Sequence, residues 1–141
     1  MTPVVRQATD SDGRSVRRLV TEALLLAGFD APTADADGDL LELGYYREPG
    51  RGMWVAMDDD QQVVGCAAID RGDGGFATLR RLAGDAMPEL TAAAVAFAQG
   101  RGYAGVETVI PAAMAEARDA VQLEGFASEG SGNDLLFRRP L

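Results

Sequence analysis

The sequence contains no histidine and a single cysteine. Histidine is the usual side-chain base near neutral pH and the commonest metal ligand, so its absence argues against zinc chemistry and leaves any proton transfer to other groups. The cysteine, Cys66, lies in the apolar run 63–69 with no histidine to activate it, so we expect a packed strand residue. Since a lone cysteine cannot form an internal disulfide, a reducing compartment is expected.

Long apolar runs and positive charge are also scarce. No run approaches the roughly 20 residues of a membrane span, and the N-terminus lacks the charged-then-apolar layout of a signal peptide. We therefore expect a cytoplasmic protein with no membrane partner. Acidic residues exceed basic ones by nine. The resulting field repels nucleic-acid phosphates and favours a cationic or amine-bearing ligand.

What the chain does contain is apolar material for one domain. Its 141 residues are 47% hydrophobic, which is enough for a single core spanning residues 1–141. The three consecutive aspartates at 58–60 form a polar hairpin turn. Their side chains diverge and the spacing of a calcium loop is missing, so no metal site is predicted.

Apolar spacing and turn residues predict the order of elements. Val121 and its apolar neighbours indicate one helix that ends at Gly125, whose missing Cβ suits a left-handed cap. The predicted order is a strand at 4–8, a helix from the Asp10-Ser11-Asp12 start signal to Gly28, a more acidic helix opening at Pro32-Thr33, strands at 54–57, 63–69 and 76–83, a helix from Pro88 to Gly100, a strand at 105–110, a helix from Pro111 to Glu124, and a strand at 134–138.

Several short sequence segments occur within that order at compatible spacing. They are Trp54-Val55-Ala56 followed by Val63-Val64-Gly65, then the segment 98–103, then Glu124-Gly125-Phe126. Together they resemble the GNAT acetyltransferases over nearly the whole chain. The resemblance implies an α+β fold in which a mixed central sheet is flanked by about four helices. It also implies acyl transfer from acetyl-coenzyme A to an amine, either a small molecule or a peptide.

The resemblance further implies where the cofactor binds. The strand at 76–83 pairs with the pantetheine arm and splays from the strand at 105–110, and the diphosphate lies on N–H groups at the next helix start. Residues 81–86 match the family's phosphate-loop pattern literally, but that register leaves a very short strand. The register that we favour keeps 79–82 in the strand and shortens the loop to Gly84–Met87. Across the two registers, the implied cofactor-binding residues are Leu82, Ala83, Gly84, Asp85, Ala86 and Met87.

Asp85 is unfavourable for phosphate binding in either register. Its carboxylate is expected to cap the helix start and to repel a diphosphate at close range. We therefore expect coenzyme A to bind weakly or not at all.

The catalytic residues are less clearly indicated. Many family members place a proton-donating tyrosine four residues before the Gly-Phe pair, where this chain has Val121. Glu107 is the candidate general base, although a solvent-facing strand residue explains it equally well. Tyr46 is the second catalytic candidate, with Tyr45 and Glu42 beside it. Strand alternation predicts that Arg80 and Arg81 point to opposite faces, so only one could face the cleft and hold an acidic substrate group.

Three functions remain open from the sequence. The first is an N-acyltransferase that uses acetyl-coenzyme A. The second is a non-catalytic GNAT-fold binding or regulatory module, and the third is a repurposed biosynthetic enzyme that needs no cofactor. The exposed edge of the last strand is also a place where a second copy could pair to form a homodimer.

Overall fold

Seven strands form one sheet, which a computed structural model describes over residues 3–33, 37–130 and 132–141. In spatial order the sheet runs β1-β2-β3-β4-β5-β7-β6. Only the β4–β5 pair is parallel; every other pair is antiparallel. The strands are β1 (Val4–Gln7), β2 (Gly52–Met57), β3 (Val63–Arg71), β4 (Phe76–Gly84), β5 (Gly105–Pro111), β6 (Ala127–Glu129) and β7 (Asp134–Pro140).

Helices cover both faces of this sheet. On one face lie α1 (Gly13–Leu26), the short α2 (Gly38–Leu41) and the 3₁₀ segment Leu43–Arg47; on the other lie α3 (Met87–Gly100) and α4 (Ala115–Leu123). Each helix buries a stripe at helical spacing, as Val16, Leu19 and Val20 do in α1. The mixed sheet and its four described α-helices confirm the predicted fold class.

Two predicted helices differ from the structure at their starts. Thr33 is not helical, and α2 begins at Gly38; residues 34–36 of the predicted helix lie outside the described residues. The Asp37 carboxylate accepts a hydrogen bond from the Thr33 backbone at 2.9 Å, which closes a loop before α2. Pro111 ends β5 opposite Asp134, and α4 starts only at Ala115. Pattern alone could not show that the partner strand extends β5 through the proline.

Strand β6 was not predicted, because its three residues are exposed and have no apolar alternation. It pairs with β7, so β7 is not an edge strand. The prediction of a dimer edge at the last strand is therefore wrong in its location: the edges of the described sheet are β1 and β6. Gly125 has φ +97° and ends α4, as predicted, with the Phe126 N–H bonded to the Val121 carbonyl at 3.0 Å.

Candidate active site

A cleft opens where β4 and β5 separate. The two strands pair only at Phe76–Gly105, Ala77–Val106 and Thr78–Glu107, although β4 continues to Gly84. Beyond the last pair, the Thr108 hydroxyl donates a hydrogen bond to the Leu79 carbonyl at 2.9 Å. That bond satisfies a backbone acceptor at the point where the ladder stops.

The space between the strands is a small, mainly apolar cavity of about 170 Å³. Its walls come from α1, from β4 at residues 79–83, from β5 at residues 108–111, and from the start of α4. Val109 faces it and is 60% exposed, so the cavity is open to solvent. The slot is shaped for an apolar or acyl group lying along the free edge of β4.

A β-bulge in β4 sets the direction of its arginines. Cys66 pairs with Ala83 and Ala68 with Arg80, so Arg81 and Leu82 together stand opposite Ala67. Arg81 has φ +58°, and its carbonyl accepts a hydrogen bond from the Cys66 thiol at 3.1 Å. Cys66 is fully buried, and burial raises the pKa of its thiol to about 12, which agrees with a packed residue.

The bulge overturns the prediction that Arg80 and Arg81 point to opposite faces. Both approach the same carboxylate: Arg81 Nη2 lies 2.7 Å and Arg80 Nη2 lies 3.9 Å from Asp39 Oδ1. Strict alternation fails because the bulge begins at Arg81, whose positive φ turns the backbone directly after Arg80. Both arginines also line the cleft cavity.

Two buried aspartates anchor a charged network beside the cleft. Asp39 accepts hydrogen bonds from Arg81 and from the Tyr46 hydroxyl, the latter at 2.5 Å. Burial raises the pKa of Asp39, but these donors outweigh it and hold that pKa below its ordinary value. The network ties α2 and the following 3₁₀ segment to β4.

Asp70 is the second anchor. It accepts hydrogen bonds from the Tyr45 hydroxyl at 2.5 Å, from Arg51 Nε at 2.8 Å and from Arg80 Nη1 at 3.1 Å. Burial raises the pKa of Asp70. The hydrogen bonds from Tyr45 and Arg51 together lower it by more, so the net shift is downward. Asp39 and Asp70 were not identified from the sequence. The sequence did contain a signal for Asp70: it directly follows the buried strand run 65–69, where an acidic side chain is expected to be paired.

The two predicted catalytic residues lie apart. Glu107 is in the last residue pair before β4 and β5 separate, with its carboxylate 3.8 Å from Arg138 Nε and about a quarter of its side chain exposed. Tyr46 is buried beneath the charged network, and neither Tyr46 nor Glu107 lines the cleft cavity. Burial, then the Asp39 hydrogen bond, raise its pKa, so Tyr46 stays protonated. Of the neighbouring candidates, Tyr45 binds Asp70 and Glu42 is exposed.

The connection from β4 to α3 is very short. Strand β4 runs through Arg81 to Gly84, two residues follow, and α3 begins at Met87. This matches the predicted register that keeps 79–82 in the strand and shortens the loop. Pro88 in the first turn has no N–H to offer a ligand. The Asp85 N–H is already bonded to the Val64 carbonyl at 2.7 Å.

Asp85 does not cap the helix, contrary to the sequence prediction. The N-cap residue is Ala86, in left-handed conformation, and no side chain caps the helix. A two-residue turn fixes this geometry because the Asp85 backbone is held against β3. Within the described part of the chain, the exposed Asp85 carboxylate has no hydrogen-bond or ion-pair partner.

Around this turn the surface is acidic. Two pockets of about 490 and 340 Å³ meet at Gly84, Asp85 and Met87, and their described lining residues include no arginine. Four exposed carboxylates line them instead: Glu22, Asp85, Glu116 and Asp119.

Comparison with solved structures identifies the fold. An acetyltransferase of the GNAT family from Staphylococcus aureus Mu50 superposes with a TM-score of 0.85 at 14% identity, covering 99% of both chains. The chain has the GNAT fold. A phosphinothricin acetyltransferase from Sinorhizobium meliloti in complex with AcCoA gives a TM-score of 0.81 at 20% identity, covering 100% of this chain and 89% of that one. A ribosomal-protein-alanine N-acetyltransferase from Brucella melitensis gives 0.78 at 22% identity, covering 98% and 99%.

No protein-family model matches the sequence, and no curated protein does. The similarity to the solved structures therefore lies in the backbone fold, and the fold implied by the short sequence segments is confirmed. Among the described residues, no helix could cross a membrane and no group of Asp, Glu and Cys is arranged to hold a metal ion.

The residues at the GNAT cofactor position fit coenzyme A only in part. The splayed strands and apolar cavity suit a thioester arm, as the resemblance implied. The turn 84–87 suits a diphosphate poorly, because the Asp85 N–H is already bonded to the Val64 carbonyl, Pro88 has no N–H, and the turn carries Asp85 with Glu116 nearby. Val121, where many family members have tyrosine, is fully buried in the core against α3 and the sheet.

Proposed function

We propose that this chain transfers an acyl group from a thioester such as acetyl-coenzyme A to a small-molecule or peptide amine, and that it holds coenzyme A weakly. The observation that carries the proposal is the separation of β4 and β5 around an apolar slot within a GNAT fold. A thioester supplies an activated carbonyl when it lies in such a slot. The chain supplies the apolar walls that exclude water and the free edge of β4 that orients the arm.

Glu107 is the residue that we assign to proton removal from the amine. It lies where the strands separate, so a water molecule could link its carboxylate to an acceptor at the cleft mouth. Arg138 Nε lies 3.8 Å from that carboxylate and balances its charge. Tyr46 acts through Asp39: its hydroxyl holds the aspartate that in turn positions Arg81 at the cleft wall.

Weak cofactor binding follows from the acidic turn. A carboxylate and a phosphate about 4 Å apart repel by about 1 kcal/mol in water and about 4 kcal/mol at a protein surface of lower effective dielectric. Asp85 and Glu116 both line the pocket at this position, and no arginine among its described lining residues offsets them. Affinity is therefore expected to fall well below that of a GNAT protein with an intact phosphate loop.

The same acidity supports a second candidate function. If the diphosphate is rejected entirely, the slot serves a binding or regulatory module, or an enzyme that needs no cofactor. The uncommitted Asp85 carboxylate is the observation that favours this alternative, because nothing in the described fold requires a charge there.

Calorimetric titration with acetyl-coenzyme A separates the two candidates. We expect binding in the high-micromolar to millimolar range, and we expect Asp85→Gly to strengthen it about tenfold by removing one close repulsion. Asp59→Gly, on the exposed hairpin turn remote from the cleft, is the matched control and should change nothing. No binding at millimolar ligand by either the protein or Asp85→Gly would leave only the second candidate.

Turnover then tests Glu107. With acetyl-coenzyme A and a panel of amines, Glu107→Gln should lower kcat about 100-fold with little change in KM, as expected for loss of a general base. Glu129→Gln is the control, because Glu129 also lies 3.8 Å from Arg138 but is on the edge strand β6. Equal activity of the two variants would remove Glu107 from the mechanism.

A further inference from the structure

A groove leads out of the cleft between α1, the end of β4, and the starts of α3 and α4. Its volume is about 490 Å³, and it shares Ala23, Leu82, Met114 and Ala117 with the slot between the strands. The slot and the groove therefore adjoin each other.

Much of the groove is apolar. Leu19, Leu26, Leu82, Met87 and Met114 contribute to its lining. Leu26 is 90% exposed, so the rim holds a large apolar side chain that no described residue covers. Covering such surface with an apolar ligand is favourable, and methionine side chains adapt to ligands of varied shape.

The charges on the groove are all of one sign. Glu22, Asp85 and Glu116 line it, and Asp119 follows in the adjoining pocket. In the described chain none of these four has a hydrogen-bond or ion-pair partner, whereas the buried Asp12, Asp39 and Asp70 are all paired with arginines. The four carboxylates are thus not used to hold the fold.

We propose that this groove binds an amphiphilic organic cation, with its alkyl chain or ring on the leucine and methionine lining and its amine or quaternary ammonium at Asp85 and Glu116. Charge complementarity selects this occupant: the rim is acidic, the floor is apolar, and the whole protein carries a net charge of −9. The site goes beyond acyl transfer and does not require it. The cation and the diphosphate arm of coenzyme A would compete for the same space.

Decyltrimethylammonium and decyl sulfate, both kept below their micelle concentrations, are matched probes of opposite charge. Titrations followed by the NMR signals of the methionine methyl groups should show the cation binding at least tenfold more tightly, with shifts at Met87 and Met114. Shortening the chain from decyl to octyl should weaken binding about tenfold, since each buried methylene is worth roughly a factor of three to four. Equal affinity for the two probes would overturn the proposal.

Variants locate the site. Asp85→Asn with Glu116→Gln should weaken the cation about tenfold, while Asp59→Asn with Asp60→Asn, which makes the same charge change on the remote hairpin turn, should not. Leu26→Ser should weaken binding and Leu41→Ser, on exposed α2, should not. Thermal unfolding of each variant checks that it is folded. Equal weakening by the two double variants would show that the attraction is non-specific and would overturn the proposal. This outcome does not depend on whether acetyl-coenzyme A binds.

Discussion

Among the described residues, the buried carboxylates of Asp12, Asp39 and Asp70 each accept hydrogen bonds from nearby donors. The Asp39 side chain is 6% exposed and receives two hydrogen bonds from Arg81, which is itself 12% exposed, and one from Tyr46. Desolvation of two charges costs several kcal/mol, and the close hydrogen bonds that Asp39 accepts from Arg81 and Tyr46 offset that cost. Removing Asp39 would leave the buried Arg81 with Asp37 as its one carboxylate partner among the described residues.

The residue-scale prediction follows from that asymmetry. Asp39→Ala should lower the free energy of unfolding by about 2 kcal/mol, because the buried Arg81 would keep only its ion pair with Asp37 and the Tyr46 hydroxyl would lose its acceptor. Asp10→Ala is the control: its ion pair with Arg47 is solvent-exposed, so its loss should cost under about 1 kcal/mol. Urea denaturation measures both. Similar losses would mean that the Asp39 pair is no more important than a surface contact.

A second prediction at this scale concerns Cys66. Its thiol is buried with a pKa raised to about 12, so it should react with maleimide only when the protein unfolds. Labelling in native buffer should be slower than that of a small-molecule thiol by several orders of magnitude and should rise with urea in step with unfolding. Rapid labelling of the folded protein would contradict the buried position of the residue.

Among the elements, β4 determines the site. Its bulge aims two arginines at one carboxylate, its early separation from β5 opens the slot, and its close contact with β3 fixes the turn into α3. At that contact Gly65 pairs with Gly84, and a Cβ on Gly65 would lie 2.0 Å from the Asp85 carbonyl oxygen. Only a residue without a side chain allows this approach.

The element-scale prediction is that Gly65→Ala destabilises the protein by about 3 kcal/mol, because a backbone atom and not a flexible side chain must move. Gly100→Ala serves as the control. A Cβ on Gly100, at the end of α3, would have no described atom within 4 Å, so stability should be unchanged or rise by up to about 1 kcal/mol. Thermal unfolding of both variants checks the difference, and tolerance of Gly65→Ala would mean that the turn can shift.

At the scale of the whole molecule, charge determines the response to pH. Asp12, Asp39 and Asp70 all have folded-state pKa values below the ordinary value of 3.8. Below about pH 4 the unfolded chain therefore binds more protons than the folded one, and acid favours unfolding. Without histidine, no side chain of ordinary pKa titrates between pH 5 and 8.

Stability should accordingly be nearly constant from pH 5 to 8 and should fall as the pH drops below about 4. Urea midpoints measured at intervals from pH 8 to 2.5 test this expectation. In Asp39→Asn the fall below pH 4 should be shallower, because one of the low-pKa carboxylates is gone. An unchanged acid slope in that variant would exclude Asp39 as a contributor.

Local pattern was sufficient for most of the elements. Apolar spacing located α1, α3 and six of the strands, and Gly125 marked the end of α4, because periodicity and the φ of glycine are properties of a few neighbouring residues. The start of α4 and the strand β6 were not predictable in this way. Both depend on pairing with β7, which local spacing does not contain.

The amino-acid sequence by itself determined the type of fold, the absence of histidine chemistry and the negative charge beside the turn at Asp85. Tertiary structure decided which of those charges are available. Asp39 and Asp70 are paired because a bulge in β4 and the segment after α2 bring arginines and tyrosines to them, whereas Asp85 and Glu116 have no partner at the groove among the described residues. The physical reason is that periodicity is local, but desolvation and ion pairing depend on contacts between residues far apart in the chain.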